Sequence, residues 1–148
     1  MKYLLDTNIL TRLVEPGHAM HQSALDAVKT LGRRGDALYI APQNLYEFWV
    51  VCTRPLAVNG LGKTPAEALS ELAQLKSLFL RLNDVPAIYD VWEYLVPSVP
   101  VVGKPAHDAR LVASMSVHGL THLLTFNVQD FQGFTGITAV SPSSILSP

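Results

Sequence analysis

The chain has a single cysteine, Cys52, so neither an internal disulfide nor a cysteine-built zinc site can form. Charge is scarce as well: 16% of the 148 residues are charged, and the formal net charge is −1. Without a basic excess there is no global field to draw in a polyanion, which argues against a tight, non-specific nucleic-acid binder. An enzyme that touches a short stretch of RNA remains open, with a local basic rim or a metal supplying the neutralisation. No apolar run approaches the ~18 residues of a membrane span. Asp6 interrupts the apolar start before a signal peptide could form, so the cytoplasm is the expected compartment. Internal repeats, low-complexity tracts and linkers are lacking, as are a Walker loop and a Ser–His pairing.

What is present is apolar material, 49% of the chain, enough for one core and too much for disorder. The length suits a single domain over residues 1–148. Cys52 sits in an apolar run and reads as a buried thiol. Residues 3–5 are apolar without alternation, as in a strand buried on both faces. Further strands are expected at 37–41, 80–82, 122–124 and 137–140. Helices are expected at 9–14 with Asn8 as cap, and at 21–34 with Ala24, Leu25, Val28 and Leu31 inward. Pro42 opens a helix to about residue 53, and Thr64-Pro65-Ala66-Glu67 caps another to about 79. A short helix at 86–96 precedes a proline-rich loop at 97–105, and a last helix covers 106–118. Strands alternating with helices imply an α/β fold: about five strands in a mostly parallel central sheet, with helices on both faces.

The acids stand in informative places. Asp6 follows the first strand, and Asn127 and Asp130 follow the strand at 122–124. In open α/β sheets ligands bind outside the carboxyl ends of strands, so topology alone brings these positions to one edge. Glu47 is the only charge in residues 45–52, on a helix expected to be buried nearly all round. A buried carboxylate needs a compensating cation, either an arginine or a metal. Asp108 begins the face that Leu111, Val112 and Met115 continue at i+3, i+4 and i+7, so it should point inward from the first helical turn. Several carboxylates in one crevice repel unless Mg²⁺ or Mn²⁺ sits among them. Such a cation polarises a phosphoryl oxygen and acidifies a water that can attack phosphorus.

Four segments in order carry a resemblance: Leu4-Leu5-Asp6-Thr7-Asn8, the helix of Glu47, His107-Asp108-Ala109-Arg110, and Leu124-Thr125-Phe126-Asn127-Val128-Gln129-Asp130-Phe131. Together they resemble a PIN domain, in the order and spacing of bacterial VapC-type toxins, across essentially the whole chain. The resemblance implies a PIN-like three-layer sandwich and a Mg²⁺- or Mn²⁺-dependent endoribonuclease. It further implies a toxin that is usually a homodimer and is often inhibited by a cognate antitoxin. Asp6, Glu47 and Asp108 match the family's three core acids. The fourth acidic position falls between Thr125 and Phe131, where Asn127 stands in the usual place of an aspartate and Asp130 lies three residues on. An amide oxygen ligates a cation but brings no charge, so one metal or two, and Asn127 or Asp130, stay open.

Thr7, Asn8 and Thr125 are candidates to hydrogen-bond the carboxylates, or are ordinary turn and cap residues. Arg110 could reach substrate phosphate, and His107 could orient Asp108 or touch RNA; both could equally be solvated surface groups. Tyr46, Phe48 and Trp49 read as core. Arg54, Lys63 and Lys104 could form a local basic rim. Three rivals remain. A haloacid-dehalogenase-type phosphatase also places an aspartate after its first strand, but wants an acid at position 8, where Asn8 stands. A response-regulator receiver wants an acid pair there and a late lysine. A degenerate PIN domain acting as a binding or scaffold module finds its best support in Asn127.

Overall fold

Tyr3, Leu4 and Leu5 are all buried, as a strand covered on both faces requires. They form β1 (Lys2–Leu5) in a computed structural model that describes residues 1–148. The chain continues through α1 (Thr7–Leu13), α2 (His21–Arg33), β2 (Ala37–Ile40), α3 (Pro42–Thr53) and α4 (Pro65–Leu78). It then runs through β3 (Leu80–Arg81), α5 (Ala87–Ser98), α6 (Pro105–His118), β4 (His122–Leu124), β5 (Thr138–Val140) and α7 (Pro142–Leu146).

The strands form one sheet in the order β3-β2-β1-β4-β5, every neighbouring pair parallel. Alternate side chains of the central strands feed opposite layers. Tyr3, Leu5 and Leu124 join Ile9, Leu10, Leu31, Phe48, Leu75 and Ile145 on one face, under α1 to α4 and α7. Leu4 and Leu123 join Leu111, Val112 and Met115 of α6 on the other. The result is the three-layer α/β sandwich. From β1 the chain adds β2 and β3 on one side, then crosses to add β4 and β5 on the other. The sheet therefore reverses direction between β1 and β4, where a crevice opens at the strands' carboxyl ends. Asp6 and Thr125, the residues that leave β1 and β4, border it.

Several boundaries differ from the sequence expectation for identifiable reasons. Asp6, not Asn8, caps α1, and the helix starts at Thr7. The third strand keeps only Leu80 and Arg81, while Leu82 turns inward to the α6 side. Helix α5 runs through Pro97 to Ser98. Pro97 lies in the last turn, where the N–H it lacks and the clash it makes affect little further helix. Helix α7 was not expected; Ser141 caps it, its Oγ accepting from the Ser144 N–H at 3.2 Å, with Pro142 in the first turn. Helix α3 is not buried all round. Phe48 and Cys52 are fully covered, but Tyr46 is 66% and Val50 54% exposed. Burial pushes the Cys52 thiol up to about 11, so it stays protonated and unreactive. No helix is long and apolar enough to cross a membrane.

Leu124 is fully buried immediately before Thr125. Leu124→Ala is expected to lower unfolding free energy by roughly 2–5 kcal/mol in urea titration. A loss within error of zero would contradict this account of the core.

Candidate active site

Asp6 stands at the joint between β1 and α1. Its N–H donates to the Leu124 carbonyl at 2.9 Å, tying the end of β1 to that of β4. Its Oδ1 accepts from the Thr7 N–H at 2.8 Å, and its Oδ2 accepts from the Thr125 hydroxyl at 2.7 Å. Asn8 Nδ2 lies 3.4 Å from the same Oδ2. Rather than capping α1, Asn8 laces it to the strand opposite: Nδ2 donates to Thr125 Oγ1 at 3.2 Å and Oδ1 accepts from the Phe126 N–H at 3.2 Å. Asp6 is only 9% exposed. Burial raises its carboxyl above the usual range although the Thr125 and Thr7 hydrogen bonds pull it down, and the charges of Glu47 and Asp130 push the same way as burial.

Glu47 reaches toward Asp6 from α3. Its Oε2 accepts from the Thr7 hydroxyl at 2.8 Å, and its Oε1 accepts from Gln43 Nε2 at 2.9 Å. The Thr7 hydroxyl itself accepts from Asn44 Nδ2 at 3.2 Å, which fixes the direction of its own donation. Asn44 is fully buried and accepts the Ala41 N–H at the start of α3. Of the two compensating cations open to Glu47, an arginine or a metal, no arginine pairs with it. Arg110 instead donates to Gln43 Oε1 at 3.0 Å and to Asp84 Oδ1 at 3.2 Å. Because the Gln43 oxygen faces a guanidinium, its amide N–H groups must face the acids. They reach Glu47 and, at 2.8 Å, the His107 carbonyl just ahead of Asp108.

Asp108 lies in the first turn of α6, half-buried, with Leu111, Val112 and Met115 inward as its spacing required. Burial raises its carboxyl to about 6, helped by the charges of Asp6, Asp130 and Glu47 and opposed by His107. Asp130 is exposed in the turn Val128–Phe131, and its charge is felt at both Asp6 and Asp108. It is the fourth acid of the group. The side chain of Asn127 makes no hydrogen bond; its backbone N–H donates to Thr125 Oγ1 at 3.0 Å.

None of these four acids is paired. The ion pairs of the molecule join Met1 to Asp36, Arg12 to Glu15, Lys63 to Glu71 and Arg110 to Asp84. Of the candidate rim, Lys63 is thus engaged by Glu71, and Arg54 donates to the Asn59 carbonyl. An all-oxygen donor set with unmet negative charge fits a hard divalent cation. No three of the acids already converge at metal–ligand distance of one point. Like charges without a counterion hold apart, and Glu47 and Asp108 carry rotatable side chains on opposing helices.

Sequence reading missed Gln43 and Asn44. A glutamine and an asparagine near a helix start are commonplace; only their near-complete burial, at 6% and 0% exposed, marks them. It also overstated Tyr46 and Trp49, which lie exposed and half-buried on α3.

Because the folded pKa of Asp108 is raised, the fold holds that proton between the ordinary 3.8 and about 6 while the unfolded chain does not. The stability this group lends is present at low pH and lost as pH rises through about 6. In metal-free buffer, Asp108→Asn is expected to gain melting temperature over the wild type progressively from about pH 4 to 7. A gap that stays constant with pH would contradict the crowding of acids described.

Comparison with known proteins shows the family and the fold. The family model "PIN domain" matches residues 3–133. No curated protein sequence matches the chain significantly. Among solved structures, VapBC2 from Rickettsia felis, bound to a DNA fragment from its promoter, superposes with a TM-score of 0.74 at 15% identity, covering 95% of this chain and 98% of that one. A toxin–antitoxin complex from Klebsiella pneumoniae gives 0.66 at 24% identity, over 95% and 97%. Mycobacterium tuberculosis VapC20, a sarcin–ricin-loop-cleaving toxin, gives 0.59 at 20% identity, over 82% and 86%. These structures share the fold. With the family model spanning most of its length, the chain belongs to the PIN-domain family.

Proposed function

We propose that this protein is a Mg²⁺- or Mn²⁺-dependent endoribonuclease, the toxin of a toxin–antitoxin pair. The observation that carries the reading is the unpaired acid group: Asp6, Glu47, Asp108 and Asp130 lie near enough for their charges to raise the carboxyls of Asp6 and Asp108, and none of the four forms an ion pair. Asp6, Glu47 and Asp108 would hold the cation, with Asp130 beside them. Bound there, it would supply Lewis-acid neutralisation of phosphoryl charge.

The chain's own residues prepare that site. Thr7 and Thr125 fix both oxygens of Asp6, and Thr7 and Gln43 fix both oxygens of Glu47. These hydrogen bonds keep the two carboxylates close together, and Glu47 and Asp108 would draw inward around a cation entering among them. Asp108, pushed up to about 6 by burial and by the neighbouring acids, would be returned to its ionised form by a cation that offsets those charges. Asn127 adds an exposed amide at the crevice edge.

Support for the toxin reading comes from the company the fold keeps, since one of the neighbours above is a toxin–antitoxin complex, another is a VapBC assembly on promoter DNA, and a third is a toxin that cleaves the sarcin–ricin loop. A cognate antitoxin and a homodimer belong to the same proposal. The exposed Tyr46, with Leu45, Trp49 and Leu72, lines a groove of about 450 Å³ that offers one apolar surface to a second copy.

Purified protein is expected to cleave total cellular RNA with Mn²⁺ or Mg²⁺, to stop in EDTA, and to lose cleavage in Asp108→Ala. Cleavage that persists in EDTA or in the variant would overturn the reading. Gln43→Leu, which strips one partner from Glu47, is expected to weaken metal affinity by roughly 10–100-fold, as outer partners of ligands do. Unchanged affinity would show that Glu47 is oriented without it.

A further inference from the structure

A second cavity adjoins the acid crevice. About 250 Å³ in volume, it lies between the start of α5 and α6 and is lined by Val85, Pro86, Ile88, Tyr89, Trp92 and Arg110. Its walls are two aromatic rings, one guanidinium and aliphatic surface, with no carboxylate. Tyr89 and Trp92 stand 5.7 Å apart, centroid to centroid, tilted by 37°. Tyr89 is 60% exposed and nothing in the chain covers it. Trp92 is fixed, its indole N–H donating to the Ala106 carbonyl at 2.8 Å.

Arg110 decides what the cavity suits. One of its Nη atoms is taken by Gln43 and the other by Asp84. It is therefore poorly placed to grip a phosphate by its fork. What a pinned guanidinium still offers is its flat face. Aromatic rings and guanidinium planes are the surfaces on which unstacked bases of single-stranded RNA rest. Because Trp92 and Arg110 are already held by hydrogen bonds, a base resting against them would cause little further loss of their side-chain freedom, and the exposed Tyr89 ring supplies the remaining stacking surface.

The cavity is also joined to the acids. Gln43 touches Arg110 with its oxygen and Glu47 with its nitrogen, so one amide separates the cavity wall from the carboxylate group. We infer that the cavity between α5 and α6 is a nucleobase subsite that takes an unpaired base next to the scissile phosphate and so selects the cut site. The inference rests on the ribonuclease reading for its substrate, but base binding is measurable without cleavage.

Trp49→Phe leaves Trp92 as the only tryptophan. In EDTA, adenosine 5′-monophosphate is expected to quench Trp92 emission saturably, and ribose 5-phosphate, which lacks a base, is expected not to. Tyr89→Ala should weaken the nucleotide by about ten-fold, within the range for loss of one base–aromatic stack. Equal responses to both probes, or an unchanged affinity in Tyr89→Ala, would overturn the subsite. In Mn²⁺, Tyr89→Ala should raise KM and blur the cut pattern on natural RNA. On an oligonucleotide made abasic beside the cut, wild type and variant should behave alike. Base-specific quenching in a protein that cleaves no RNA would keep the subsite and sink the ribonuclease. Normal cleavage with an unaltered pattern in Tyr89→Ala would do the reverse. A change of oligomeric state in Tyr89→Ala, seen by sedimentation, would assign the cavity to contact between copies and overturn the subsite as well.

Discussion

Asp6 is nine-tenths buried with no cation of the protein beside it. Removing a charge from water without a partner is among the most unfavourable things a fold can do. The neighbourhood is built around that charge. A strand end and a helix start meet at Asp6, which donates its N–H across to β4 and accepts from Thr7 and Thr125. Those hydrogen bonds hold the carboxylate in position without neutralising it, and Glu47, Asp108 and Asp130 add charge of the same sign. Such an arrangement suits a divalent cation that supplies the missing charge.

The rest of the polar interior extends this constraint outward. From Asp6 a path runs through Thr7 to Glu47, then through Gln43 to Arg110 and Asp84. It links α1, α3 and α6 to the segment between β3 and α5, and each member has a defined donor or acceptor role. Networks of this kind act as a unit when every member is satisfied. The acid crevice and the cavity beside α5 are thus joined by one hydrogen bond, between Gln43, which touches Glu47, and Arg110, which lines the cavity.

Much of this was legible in the sequence, for physical reasons. Tyr3, Leu4 and Leu5 betray a doubly covered strand because they do not alternate, and Asp6 must then fall at the sheet's carboxyl edge. Asp108 is legible because Leu111, Val112 and Met115 define the inward face it begins. Glu47 stood out in the sequence for too simple a reason. Its helix is apolar in composition, yet Tyr46 and Val50 face outward, and no periodicity separates an apolar surface from an apolar core. Asn8 reads from sequence as a cap or as a partner of the carboxylates; its bonds across to Thr125 and Phe126 depend on a strand more than a hundred residues away. Gln43 and Asn44 were invisible for the same reason, since an amide shows its importance only in its burial and its partners. Pro97 marked a loop by local rule, and the helix nevertheless runs one residue past it.

Calorimetric titration of Mn²⁺ into metal-free protein at neutral pH, with Asp6→Asn alongside, tests the central claim most directly. The expected result is saturable binding to the wild type that is severely weakened in the variant, while the variant remains folded and melts no lower than the metal-free wild type. Absence of binding to the wild type, or equal binding to both proteins, would contradict the claim that the acid crevice is built to hold a cation.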